Sequence, residues 1–75
     1  MNKNQLEAKA TELKAQKNKT NSFIEKMEAE VKVSTQLHFD TRTNLLNELI
    51  ASEKFFLQKI DLNIGLNNEL LKKFS

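Results

Sequence analysis

The side chains best suited to chemistry in this chain are its single histidine, His38, and three carboxylates at Glu25, Glu28 and Glu30. Acid–base catalysis near neutral pH most often uses histidine, but His38 continues a helical seam into a predicted turn, where a structural or solvent-exposed role is usual. The carboxylates lack the Glu-x-x-His pairing that metal sites in helical bundles use. A phosphate-binding loop needs several glycines, and this chain has one. The residues therefore predict a protein that is not an enzyme and that binds no metal or cofactor.

The composition indicates a small soluble protein with a thin core. The 75 residues suffice for one domain, and a chain of this length buries only about 60 to 65% of the surface that its unfolded form exposes. Cysteine is absent, which excludes disulfides, thiolate metal sites and cysteine nucleophiles. No apolar run reaches the roughly 18 to 20 residues that span a bilayer, and the N-terminus lacks the apolar segment of a signal peptide. We expect a cytoplasmic protein with no membrane contact.

The first half of the chain predicts one long helix, because its apolar residues recur at alternating spacings of four and three. Leu6 and Leu13 begin this heptad register, and Ile24 and Val31 continue it. Residues 17–22 are rich in Asn, Ser and Thr, which weaken a helix interior, and a new helix could start there. Because the register passes through this stretch unshifted, we favour a continuous or slightly bent helix.

The centre of the chain predicts a turn, because the apolar pattern breaks between residues 37 and 44. Asp40 has the residue type and the position of a helix N-cap. The sequence therefore predicts a single all-α domain over residues 1–75, an antiparallel helical hairpin. Its first arm covers about 3–38, its turn about 38–43 and its second arm about 41–74. One unbroken helix about 110 Å long in a parallel coiled coil is the alternative.

Equal arms about this turn bring positions whose numbers add up to about 80 opposite each other. Ile24 then lies opposite Phe56, and Val31 lies opposite Leu49. The expected hairpin core consists of Leu13, Ile24, Met27, Val31, Leu46, Leu49, Ile50, Phe56, Leu57 and Ile60.

The second arm contains an apparent weak point near its end. Gly65, the only glycine, stands among three asparagines between residues 61 and 68. Glycine costs about 1 kcal/mol in a helix interior and commonly follows a helix end. The second helix can therefore stop near Ile64 and restart after Asn67, or it can continue.

The second arm also carries more large apolar residues than one neighbouring helix covers. Phe55, Leu62 and Leu66, with Ala51, fall nearly opposite its main apolar face. A helix that is apolar on both sides is buried on both sides or binds a partner. We expect these four residues to form a partner or dimer interface, and we expect the chain to self-associate as a homodimer with a four-helix bundle core.

These features predict a binding function. The expected protein is a small interaction module, an adaptor, regulator or export-type chaperone, which offers an apolar surface on its second helix to a partner helix. In outline, though in no motif, such a hairpin resembles the small helical-hairpin chaperones and adaptors of secretion and phage systems, a fold-level analogy. A structural subunit of a larger assembly is one alternative.

A nucleic-acid-associated regulator is the other alternative. The net charge of +2 comes from twelve basic and ten acidic residues that are interspersed along the chain. The most basic part is the first helix, and the candidate nucleic-acid contacts are Lys9, Lys14, Lys17, Lys19 and Arg42. DNA-reading elements usually combine a denser basic patch with several arginines. We therefore expect a protein partner rather than a nucleic acid.

Overall fold

The structure is a computed structural model that describes residues 2–74, and it consists of two long antiparallel α-helices. Helix α1 spans Lys3–Gln36, and helix α2 spans Asp40–Lys72. The described residues contain no β-strand, and the Cα positions extend over 55 × 15 × 13 Å. The predicted all-α helical hairpin is confirmed, and the alternative of one unbroken helix is wrong.

Helix α1 begins at a capping box and then runs without interruption. The Asn2 side-chain Oδ1 accepts a hydrogen bond of 2.8 Å from the Gln5 backbone N–H, and Gln5 Oε1 accepts one of 3.1 Å from the Asn2 backbone N–H. These bonds satisfy donors that have no partner inside the helix. The polar stretch at 17–22 does not break α1, because Lys17 and Thr20 occupy seam positions that α2 covers.

A Schellman motif ends α1 and reverses the chain within three residues. His38 has a φ of 59°, in the left-handed region that histidine adopts more often than most residues other than glycine. Its backbone N–H donates to the Thr35 carbonyl at 3.1 Å, and the Phe39 N–H donates to the Ser34 carbonyl at 2.9 Å. The two bonds satisfy carbonyls at the end of the helix. The turn therefore comprises residues 37–39.

This cap places the turn earlier than the sequence predicted. The predicted turn at about 38–43 gives way to a three-residue turn, and the second helix begins at Asp40 rather than at about 41. The sequence predicted that Asp40 is the N-cap of α2, and this prediction is wrong. Phe39 occupies the N-cap position and makes no side-chain cap hydrogen bond. The Asp40 carboxylate still lies in the first turn of α2, where the helix dipole favours a negative charge.

Ser34 joins the two helices beside the turn. Its side chain is 1% exposed, and its Oγ donates to the Phe39 carbonyl at 3.1 Å. The Thr43 hydroxyl lies 2.7 Å from Ser34 Oγ and donates to it, since the single Ser34 hydroxyl proton is already used. Because Ser34 lies opposite Thr43, opposed positions add up to 77 rather than to the predicted 80. The shorter turn accounts for the difference.

The interface between the helices is one narrow row of residues, the core seam. Buried and half-buried residues recur in both helices at alternating spacings of three and four, as in an antiparallel coiled coil. The core seam consists of Leu6, Ala10, Leu13, Lys17, Thr20, Ile24, Met27, Val31 and Ser34 of α1 and of Thr43, Leu46, Ile50, Glu53, Leu57, Ile60, Ile64, Asn67 and Leu71 of α2. Ile24, Met27 and Ile50 form the central cluster, with Val31 and Leu57 packed against it. The other predicted core residues in this seam are the buried Leu13 and Ile60 and the half-buried Leu46.

Leu49 and Phe56 do not belong to the hairpin core, although the sequence predicted that they would. Their side chains are 50% and 47% exposed. The helical pattern predicted a broad apolar face on α2, but one neighbouring helix covers only the seam. Leu49 and Phe56 directly precede the seam residues Ile50 and Leu57, so both lie on one flank of the hairpin.

A buried asparagine joins the helices at the open end of the hairpin. Asn67 is 6% exposed, and its Nδ2 donates to the Leu6 carbonyl of α1 at 3.0 Å. A buried polar residue in an apolar seam favours one register, because a shift leaves its amide without a partner. Helix α2 continues through Gly65 to Lys72, so the interruption that the sequence allowed does not occur.

The substitution Gly65→Ala is expected to stabilise the hairpin by about 0.5 to 1 kcal/mol, because alanine is preferred over glycine in a helix interior. A Cβ at this position would meet no atom of α1 and no side chain of a residue beyond its two neighbours within 4 Å, so the added methyl group introduces no steric clash. The matched control is Ala51→Gly, at another exposed position of α2, which should cost a similar amount. Denaturant unfolding followed by circular dichroism measures both, and a loss of stability in Gly65→Ala would contradict the expectation.

Candidate protein-binding surface

Helix α2 carries large apolar side chains on most of its circumference, including the part that α1 leaves uncovered. The uncovered apolar residues, each more than 40% exposed, are Leu45, Leu49, Phe55, Phe56, Leu62, Leu66 and Leu70. Single exposed apolar residues are ordinary on protein surfaces, whereas a contiguous set on one helix marks an interaction site. The exposed face of α2 is therefore the candidate functional site.

The four residues that the sequence assigned to a partner or dimer interface lie on the outer face of α2, and we name them the partner surface. Phe55 and Leu62 are 60% and 65% exposed and lie two helical turns apart. Leu66 borders them on one flank, and the exposed Ala51 borders them on the other. The Lys59 ammonium lies 4.9 Å from the centroid of the Phe55 ring, a cation–π contact that holds a positive charge beside this surface.

One side of the hairpin is polar and carries ion pairs between the helices. Lys17 Nζ lies 2.8 Å from the Asp61 carboxylate, and Lys54 Nζ lies 3.8 Å from the Glu28 carboxylate. Because both pairs are largely exposed to water, each contributes at most about 1 kcal/mol. This side of the hairpin offers charged rims rather than an apolar docking surface.

The opposite side of the hairpin carries more apolar residues, although it also carries the ion pair between Arg42 and Glu30 at 2.9 Å. Leu49 and Phe56 of α2 lie on it, and the exposed Phe23 ring of α1 lies there too. Near the open end, Leu66 and Leu70 line a shallow groove between the two helices. Such a shallow groove fits another helix better than it fits a small molecule, which usually binds in an enclosed pocket.

Sequence reasoning missed that this side carries a second row with the same spacing as the core seam. We name the row the second seam, and its residues are Leu45, Leu49, Ser52, Phe56, Lys59, Asn63, Leu66 and Leu70. The signal was present, because these positions alternate by four and three residues. The row was divided between two predicted sites, because the helical wheel put Leu49 and Phe56 in the core and Leu66 on the partner surface.

The candidate nucleic-acid contacts do not form one free basic patch. Three of the five basic residues lie within 4 Å of a carboxylate. These pairs are Lys9 with Glu12, Lys17 with Asp61, and Arg42 with Glu30. Lys14 and Lys19 make no ion pair within the described residues. The adjacent carboxylates cancel much of the field that would attract a phosphate backbone.

Metal-ligand clusters and membrane spans do not occur in the part of the chain that the structure describes. Among residues 2–74, no group of three or more His, Cys, Asp or Glu side chains could hold a metal ion. Within the same residues, neither helix is long and apolar enough to cross a membrane. His38 has a backbone role in the turn, through its left-handed conformation.

The fold and the exposed face of α2 together define a class of protein, the two-helix antiparallel coiled-coil hairpin with an apolar face that α1 does not cover. Comparison of the chain with protein-family models, with curated proteins and with solved structures finds no match. The support for a function therefore comes from the residues of this chain.

Proposed function

We propose that this chain is a protein–protein interaction module, an adaptor, regulator or export-type chaperone, whose partner surface binds an apolar helix of another protein. The observation that carries the proposal is the exposure of Phe55 and Leu62 on an uninterrupted helix. Burying one such side chain is worth about 1.5 to 3 kcal/mol. Covering both residues therefore favours association by several kcal/mol.

The shape of the partner surface suits a helix of similar length. Ala51 and Leu66 mark its two ends, about 22 Å apart at 1.5 Å rise per residue. A partner helix of about fifteen residues, with apolar anchors at spacings of three, four and seven, matches that length. The Lys59 ammonium beside Phe55 favours a partner that has an acidic residue flanking its apolar stripe.

The substitution Phe55→Asp tests this proposal. The immobilised wild-type chain should retain a specific protein from an extract of the cells that make it, and Phe55→Asp should weaken that binding by about 30-fold or more, as at an interface hot spot. Circular dichroism should show unchanged helicity, because Phe55 is exposed in the hairpin. The control is Ala29→Asp, which adds the same charge at an exposed position of α1.

Salt separates this binding from the nucleic-acid alternative. Apolar helix docking should change little between 50 and 200 mM salt, whereas phosphate contacts weaken steeply over that range. Equal retention of the partner by Phe55→Asp and by the wild-type chain would refute the assigned surface. A bound species that salt removes and nuclease destroys would refute the proposed class of partner.

A further inference from the structure

The second seam has the spacing of a helix-packing interface, but no helix of the hairpin covers it. Its positions alternate by four and three residues along the whole of α2, as the core seam does. The four leucines at its outer positions, Leu45, Leu49, Leu66 and Leu70, are 41 to 56% exposed. A row with this spacing and this exposure is complementary to one further helix.

The residue types of the second seam read almost the same in both directions. Two leucines stand at each end, and the polar Ser52 and Asn63 stand at matching positions inside them. Phe56 and Lys59 occupy the two central positions, one on each side of the midpoint. If a second α2 lies antiparallel, leucine meets leucine at both ends, Ser52 meets Asn63, and Phe56 meets Lys59. A two-fold symmetric contact requires this kind of self-complementary surface.

We infer that a second copy of this chain covers the second seam, with the two α2 helices antiparallel about a two-fold axis between Phe56 and Lys59. The product is a four-helix dimer in which the turn of one hairpin lies beside the open end of the other. The inference goes beyond the proposed function, because it concerns a different row of residues that shares only Leu66 with the partner surface. Phe55 and Leu62 lie outside the second seam and remain at the outer edge of the dimer.

The charges on α1 favour the same orientation. The register between the helices places the two-fold axis near residues 19–20 of α1. Lys9 then lies near Glu30 of the second copy, and Glu12 lies near Lys26 of the second copy, so that opposite charges meet at four places. The Lys19 side chains of the two copies, which lie beside the axis, are the one like-charged pair. If α2 packed instead on α1 of the second copy, the leucines of the second seam would meet these charged residues.

The area of this face matches what a stable dimer needs. The Cα positions of the hairpin extend over 55 Å by 15 Å, so one face covers roughly 800 Å², the area that each partner buries in an interface of standard size. The leucines of the second seam lie on the α2 half of this face, and the polar residues of the second seam itself are confined to its centre. A second copy therefore covers the apolar surface that a single hairpin leaves exposed.

Solution mass tests the dimer directly. Light scattering behind a sizing column should give twice the chain mass of 8.7 kDa for the wild type. Leu49→Glu should raise the dissociation constant by about 100-fold or more, since each dimer contains this contact twice. Ala29→Glu, which adds the same charge at an exposed position of α1 off the second seam, should leave the dimer within a few-fold of wild type. A wild-type monomer at millimolar concentration, or a Leu49→Glu variant that dimerises normally, would overturn the inference.

Engineered cysteines test the antiparallel geometry, because the natural chain has none. Ser52 and Asn63 lie about 16 Å apart along one helix, too far for a disulfide within a single chain. The double variant Ser52→Cys with Asn63→Cys should oxidise to a covalent dimer, and each single variant should not. Cross-linking of the Ser52→Cys single variant to itself would instead indicate parallel α2 helices and would overturn the inferred arrangement.

The dimer and the proposed function can fail separately. A wild-type monomer that still retains a partner through Phe55 refutes only the dimer. A dimer that Leu49→Glu separates, but that retains no partner protein, supports the dimer and refutes the proposed function. Measuring Phe55→Asp and Leu49→Glu both for solution mass and for retention of a partner protein therefore assigns each result to one surface.

Discussion

Replacing Ile60 by alanine is expected to lower the free energy of unfolding by about 2 to 5 kcal/mol, the usual cost of truncating a buried isoleucine. Ile60 is 2% exposed and lies in the core seam of α2. In a two-helix interface few side chains can move to fill the space that its truncation leaves. Since folded proteins are stable by only about 5 to 15 kcal/mol, Ile60→Ala should remove much of the stability of the hairpin.

The matched control for this substitution is Leu62→Ala, two residues further along the same helix. It removes the same number of carbon atoms from a side chain that is 65% exposed, so it should change stability by no more than about 0.5 kcal/mol. Urea unfolding of both variants and the wild type, at one protein concentration, measures the difference. Similar losses in Ile60→Ala and Leu62→Ala would mean that the core seam does not lie where the structure places it.

The second large effect is expected from Asn67→Asp, which should cost about 2 to 4 kcal/mol near neutral pH. The Asn67 amide is buried and donates to the Leu6 carbonyl. An ionised carboxylate of the same shape has no proton to donate, so two acceptors would face each other away from water. The control is Asn68→Asp, which introduces the same charge at the neighbouring, exposed position.

The penalty in Asn67→Asp should depend on pH in one direction. A protonated carboxyl group can donate to the Leu6 carbonyl, so folding raises the pKa of the introduced group above its unfolded value of about 3.9. The variant should approach wild-type stability below that pH and lose stability as the pH rises through the folded-state pKa. Unfolding measured from pH 3 to pH 7 tests this. A difference in stability between Asn67→Asp and Asn68→Asp that stays constant over this pH range would contradict the assigned hydrogen bond from the Asn67 amide to the Leu6 carbonyl.

The hairpin itself was predictable because two independent signals agree. The alternating spacing of apolar residues predicts long helices on both sides, and the break in that spacing near Leu37 predicts a reversal. The exact turn was harder to predict. Its left-handed residue is His38 rather than a glycine, so the usual sequence marker of a helix end is missing. The resulting shift of the register by three positions follows from this one missed cap.

The candidate site was predictable only in part. Phe55 and Leu62 stand far enough from the core seam that any hairpin leaves them exposed. Leu49 and Phe56 stand next to the seam, and whether such residues are buried depends on how wide a face the neighbouring helix covers. A helical wheel of α2 alone does not show how wide that covered face is, because its width depends on the spacing and register of α1.

The short turn also determines the order in which contacts along the hairpin can form. The Ser34 and Thr43 hydroxyls are separated by nine residues of chain, whereas the Leu6 carbonyl and the Asn67 amide are separated by 61. Closing the longer loop first would cost roughly 1.7 kcal/mol more in chain entropy. The low-cost route therefore starts beside Ser34 and adds one layer of side chains at a time toward Leu6. Thermal opening follows the reverse route, so the end of the rod that holds Leu6 and Asn67 frays first, while the layers beside the turn stay closed.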